Sequence, residues 1–371
     1  MTDHPTGPLG LHLALEADGD GAHPASWRHS GRPPGAVLGP QALRDVVTAA
    51  ENAGFALVTF ADSPLPPGAP GGPAGRVEAG TRAAYVAPLT DRIGLAPTLH
   101  VTTTEPFHLA TQLAGLDHAS HGRGAWVVGA ANGADDAATV GEPVRSPAEL
   151  ARETADVIDT ARLLWDSWED DAVIKDRATG RFLDADRVHP VDFEGASFSV
   201  KGPLITPRPP QGGLVVLVPD ELDADARADV VLVGRPGLPG IAERAKTAKE
   251  AGAPLVFAEV EVVLDADAPA ADRLAALDEA APWPGTGRLR HVGSPEALVG
   301  LLRGLSAVVD GVRLHPAVLA VDLPVLTDRV LPALKETGER PVPRAGDTLR
   351  DTLGLPRPAN RFAAAPAATN A

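Results

Sequence analysis

The stretch DRIGLAPTLHVT, Asp91 to Thr102, decides how the rest of the chain is read. By period two, Gly94, Ala96, Thr98, His100 and Thr102 fall on one face of a strand, and Ile93, Leu95, Leu99 and Val101 on the other. The first face is small at one end and polar at the other, and the second is aliphatic. A strand of this kind suits a barrel wall, with its apolar face under helices and its small, polar face toward a lumen that opens into a site.

Working outward, strands and helices alternate. PLGLHLALEA (Pro8 to Ala17) reads as a strand, Gln41 to Ala53 as a helix stopped by Gly54, and FALVTFAD as a buried strand ending at Asp62. A Pro/Gly-rich loop spans Ser63 to Gly75, and a helix follows over Glu78 to Thr90. After the quoted strand come the helix PFHLATQLAGLDHAS, with Thr104 as its expected N-cap, the strand GRGAWVVGAA and a long helix from Ala148 to Trp165. Beyond a charged segment the pattern resumes with GLVVLVP, ADVVLVG, a helix Gly240 to Ala251, PLVFAEVEVVLD, a helix Pro295 to Leu305, AVVDGVRLH and a helix from about Leu323 to Lys335. Alternation implies a parallel sheet with right-handed crossovers, and about eight strands favour a closed (β/α)8 barrel, an α/β fold whose chemistry lies at the C-terminal ends of the strands.

Composition narrows the function. The chain has 371 residues, 44% of them apolar, enough for one large barrel domain. A net charge of −16 argues against nucleic acid. No apolar run approaches the roughly 20 residues of a membrane span, and MTDHPTGPLG has neither the basic region nor the apolar core of a signal, so a cytoplasmic location is expected. With no Cys there is no thiolate nucleophile, disulfide or Cys-held metal, and redox chemistry requires an organic cofactor. Asp166, Glu169, Asp170 and Asp171 lack the alternating oxygen donors of a cation loop and read as a solvated charged face, so no metal site is expected. Trp165 and Trp168 read as core.

The charged segment itself, LLWDSWEDDAVIKDRATGRF followed by VHPVDFEGASFSVKGPL and TPRPPQG, resembles the central insertion of bacterial luciferase-like flavin-dependent monooxygenases, in the branch of nitrilotriacetate monooxygenase, pristinamycin synthase component A and dibenzothiophene-sulfone monooxygenase. SWRH (Ser26 to His29), FADS (Phe60 to Ser63), EPFHLATQLAGLDHASHGR (Glu105 to Arg123) and TLRDTLGLPRPANRFA agree in the expected order. The resemblance implies a TIM barrel over residues 1–355 with an insertion at about 166–212, after the fourth strand-helix unit, and a C-terminal tail at 356–371 expected to fray at its end. It further implies reduced FMN supplied by a separate flavin reductase, oxygen insertion into a small organic substrate, and a homodimer. Asp62, Thr102 and His100 become candidate cofactor contacts, expected to share one cavity, and Trp27 and His29 candidate substrate contacts. No catalytic residue is singled out.

Departures from the family pattern bear on the cofactor. Pro147 and Ala151 stand where relatives carry a His and a Tyr near the flavin, and Val127, Ala130 and Ala131 replace polar residues of the fourth strand. Relatives hold the FMN phosphate on a Gln-Ala-Gly-x-Ser turn after the fifth strand; here Pro219 to Asp223 read PDELD, whose carboxylates repel a dianion. FMN binding is therefore expected to be weak unless Arg123 or Arg235 supplies another phosphate site. A non-catalytic barrel acting as a ligand-binding or partner subunit, and a deazaflavin-dependent reductase, are the alternative readings.

Overall fold

The computed structural model describes residues 10–68, 72–73, 75–336 and 341–363. Eight parallel strands close on themselves: β1 (His12–Glu16), β2 (Leu57–Phe60), β3 (Gly94–His100), β4 (Ala125–Gly129), β5 (Val215–Pro219), β6 (Val230–Val233), β7 (Leu255–Leu264) and β8 (Gly311–Pro316). Each pairs with its sequence neighbours, and β8 closes the ring by pairing with both β7 and β1. This is a TIM barrel.

The reading of β3 carries over to the whole wall. Leu95 and Leu99 pack outward with Leu13, Leu15, Val58 and Phe60 under the helices, whereas Ala96 joins Ala14, Leu57, Val127, Leu217 and Phe257 in the lumen. A short helix, Leu349–Leu353, plugs the lumen at the N-terminal ends of the strands. Gly94 is required there, because a Cβ on it would stand 2.6 Å from Leu349 Cδ1 and 2.9 Å from Leu57 Cβ.

The first four strands are followed in turn by α1 (Pro40–Ala53), α2 (Ala79–Val86), α3 (Pro106–Ala119) and, after a short turn, α4 (Pro147–Trp165). Gly54 ends α1 in the left-handed conformation at φ +83°. The cap of α3 is Glu105 rather than Thr104: its carboxylate accepts from the N–H groups of Phe107 and His108 at 2.9 and 2.7 Å, which two oxygens do better than one hydroxyl. Pro147 has a local explanation as the first residue of α4, behind a reciprocal Ser146/Glu149 cap. Between β5 and β6 only two short 3-10 turns occur, and α5 (Leu238–Glu250) follows β6. The sequence reading missed α6 (Ala270–Ala280) and an edge strand, Leu289–Gly293, that pairs outside the ring with the far half of β7. After α7 (Pro295–Ser306) and β8, the last helix starts at Leu319, earlier than expected, and carries Pro324 and a π-type turn at Leu326–Val330 before Leu331–Glu336.

Residues 166–212 form two small hairpins on the barrel flank. Their acidic residues are paired rather than merely solvated. Asp166 is buried between Arg208 (2.9 Å) and Arg361 (3.1 Å), and Asp170 binds Arg208 and Arg357. The same contacts clasp residues 357–361 of the tail; the rest of it, from 364, lies outside the described residues, as does the start of the first predicted strand at Pro8. Trp165 and Trp168 are core, each donating its indole N–H to a backbone carbonyl. Among the described residues no helix is long and apolar enough to cross a membrane.

Candidate functional site

At the C-terminal ends of β1 to β3, two cavities lie side by side. One, of about 480 Å³, is lined by Asp62, Glu78, Thr98, His100 and Thr103 under the loop Ser63–Pro66. The other, of about 300 Å³, is lined by Asp18, Asp20, Ser26, Trp27 and Arg82. Gly75 and Arg76 belong to both, so Arg76 stands at the divide. Its guanidinium reaches Asp18 at 3.3 Å, and Arg82 binds the same carboxylate at 3.0 Å. Burial raises the Asp18 carboxyl above its usual value against the pull of these two cations.

Asp62 and His100 meet in the larger cavity, but their polar atoms are already engaged. The Asp62 carboxylate accepts from Ser63 N–H at 2.8 Å and from Ala79 N–H at 2.7 Å, tying down the loop and the start of α2. His100 Nδ1 accepts from Ala131 N–H at 3.0 Å, so its proton sits on Nε2, which faces the Asp62 carbonyl at 3.2 Å. Burial lowers the His100 pKa and keeps the ring neutral. Room for the imidazole exists because Gly129 has no side chain: a Cβ there would stand 2.6 Å from Nδ1. Thr102 does not join them in lining this cavity. β3 ends at His100, the alternation ends with it, and the Thr102 hydroxyl donates to Ala131 O at 2.7 Å.

Trp27 and His29 part company. Both lie on the 3-10 turn Ser26–His29, but Trp27 faces the smaller cavity with the Arg28 guanidinium 4.6 Å from its ring centre. His29 is exposed beside a separate hollow between Arg273 and Val321.

Sequence reasoning missed a charged cluster in the upper lumen. Arg313 on β8 bridges Glu16 on β1 (2.8 Å) and Glu259 on β7 (3.4 Å). Glu259 also takes His315 at 3.3 Å and Arg288 at 3.2 Å, while Glu261 binds Arg290 at 2.7 Å. Burial alone would raise both carboxyls. Arg313 chief among the neighbours outweighs it, holding Glu16 below and Glu259 well below the usual range, while burial leaves His315 neutral. The signal was in the sequence: charges at alternate positions of apolar runs, Glu259 and Glu261 in LVFAEVEVVL and Arg313 and His315 in GVRLHP, must all point into the barrel.

The corner after β5 does not offer what an FMN phosphate needs. Pro219 has no N–H, and residues Asp220–Leu222 form one 3-10 turn ending at Asp223 in the left-handed conformation. Asp220 is buried and gripped by Arg235 at 2.7 Å and Arg244 at 3.1 Å, and Arg244 also binds Asp225. Arg123 is no substitute. It is buried at the N-terminal side of the barrel, donating to the carbonyls of Ser120, Ile93, Ala87 and Thr90.

A family model described as luciferase-like monooxygenase matches residues 22–297. The chain belongs to that family, a class of flavin-dependent monooxygenase barrels acting on small organic substrates. Among its relatives, N-acetyl-S-(2-succino)cysteine monooxygenase of Bacillus subtilis is 28% identical over 96% of this chain and 98% of its own length. One of the pristinamycin IIA synthase subunits from Streptomyces pristinaespiralis is 33% identical over 90% of this chain and 94% of its own. In structure, the EDTA monooxygenase of Chelativorans sp. BNC1 superposes with a TM-score of 0.80 at 20% identity, covering 94% of this chain and 99% of that one, which speaks to the fold.

Proposed function

We propose that this chain is the oxygenating component of a two-component flavin monooxygenase, using reduced FMN delivered by a separate flavin reductase and acting on a small organic substrate in the paired cavities around Arg76. One observation carries this reading: a barrel of this family keeps its open space at the C-terminal ends of β1 to β3, where barrel chemistry resides. A relative over part of the chain, nitrilotriacetate monooxygenase of Aminobacter aminovorans, is itself named component A. The flavin, when bound, supplies activation of oxygen. The chain's own residues supply walls: a neutral His100 with both nitrogens engaged, a carboxylate at Asp62 committed to the loop, and Arg76 as the cation at the divide. Asp62, His100 and Thr102 remain our candidates for lining or bracing the cofactor space, with Trp27 on the substrate side; His29 faces elsewhere. A homodimer is the assembly we propose.

The test is oxygen uptake and product formation with NADH, FMN and an added flavin reductase, across neutral thioethers, amines and carboxylated substrates. Substrate-dependent oxygenated product, with less hydrogen peroxide released, supports the reading. A second reading is favoured by the carboxylate-filled corner after β5 and by similarity, over nearly the full length, to a protein named as one subunit of a synthase. In it, the chain works as the partner of a second barrel, and product appears only when both are mixed.

A further inference from the structure

We infer that the corner after β5 is a closed carboxylate–guanidinium clasp that rejects phosphate, so that this barrel binds a flavin through its ring and ribityl chain alone and FMN gains nothing over riboflavin. The inference rests on the flavin reading above and departs from it only at the phosphate.

A phosphate site needs free N–H donors or cations facing a dianion. Here the first donor is deleted by Pro219. The two cations are spoken for: Arg235 Nη2 lies 2.7 Å from Asp220 Oδ2, and Arg244 holds Asp220 through Nε and Asp225 through both terminal nitrogens at 2.7 Å. Asp220 is almost completely buried, so its pairing is not a loose surface contact that an arriving anion displaces. The turn adds Glu221 and Asp223, neither of which forms an ion pair among the described residues, so that four carboxylates stand against two guanidinium groups. Surrounding protein desolvates Glu221 and, with Glu259 and Asp220 nearby, raises its carboxyl, the response of an acid that already meets too much negative charge. A dianion placed here would meet that excess directly.

Flavin-fluorescence titrations of the full chain with riboflavin and with FMN test this. Dissociation constants within about threefold of each other support the inference, and the bound FMN phosphate should still titrate near its free second pKa of about 6 by phosphorus NMR. FMN binding about tenfold or more tighter than riboflavin overturns it while leaving the flavin reading intact. Failure of both flavins to bind refutes the flavin reading itself and takes the inference with it. Asp220→Asn, and Asp225→Asn should the first not fold, release guanidinium charge. Each should tighten FMN by about fivefold or more with riboflavin unchanged, and an unchanged ratio in both variants would show that the carboxylates are not the cause.

Discussion

Replacing Arg313 with methionine tests the buried cluster that closes the upper lumen. The guanidinium lies 2.8 Å from Glu16 and 3.4 Å from Glu259, all three side chains under 10% exposed. Removing one member of a buried ion pair costs about 3–5 kcal/mol because the remaining charge stays desolvated. Glu16 keeps its hydrogen bonds from Thr59 and Ala61, and Glu259 keeps Arg288 and His315, so the loss should fall near about 3 kcal/mol. It should also depend on pH. Burial first, then Arg313 and Arg288, hold His315 neutral in the native chain. Without Arg313, the imidazole gains reason to take a proton and its folded pKa moves above the unfolded value. Stabilisation of that kind is present at low pH and fades as pH rises through the folded pKa. Urea unfolding of variant and wild type at pH 8 and pH 6 should therefore show a larger difference at pH 8. A difference below about 1 kcal/mol, or the same at both pH values, refutes the account of this cluster.

Three further outcomes follow from single positions. His12 is buried in the lumen with neither ring nitrogen hydrogen-bonded, and burial lowers its pKa to about 4. Its contribution is complete above about pH 6.5 and is lost as pH falls toward 4, a drop of about 3 kcal/mol that His12→Phe should flatten in a stability–pH profile. Gly94→Ala forces a Cβ against Leu349 and Leu57 and should cost about 1–3 kcal/mol in urea unfolding, relieved by Leu349→Ala in the double variant. His100→Leu leaves the Ala131 N–H and Asp62 carbonyl without their partner, costing about 1–3 kcal/mol, whereas His100→Gln should recover part of that loss.

What the sequence makes legible here is what period and spacing govern. Gly94, Ala96, Thr98 and His100 face inward because they lie within one strand; Thr102 lies past its end, where no ladder enforces alternation, and its hydroxyl turns to Ala131. Asp62 likewise stands beyond β2, and two nearby backbone N–H groups capture its carboxylate before any ligand is considered. Long-range pairing is the part that a local reading misses. Asp166 looks like one of several solvated acids until Arg208 and Arg361 arrive from 42 and 195 residues away. Arg313 likewise meets Glu16 and Glu259 only once the barrel closes, although all three sit at inward positions that their strands already mark.

The claim that flavin occupies the paired cavities is tested most directly at Gly75, which lines both and has open space where a Cβ would go. Gly75→Trp should leave stability unchanged and fill the divide beside Arg76. Riboflavin should quench saturably on the wild-type chain and bind at least about tenfold more weakly to the variant. Equal binding to both would place the flavin elsewhere and contradict the account.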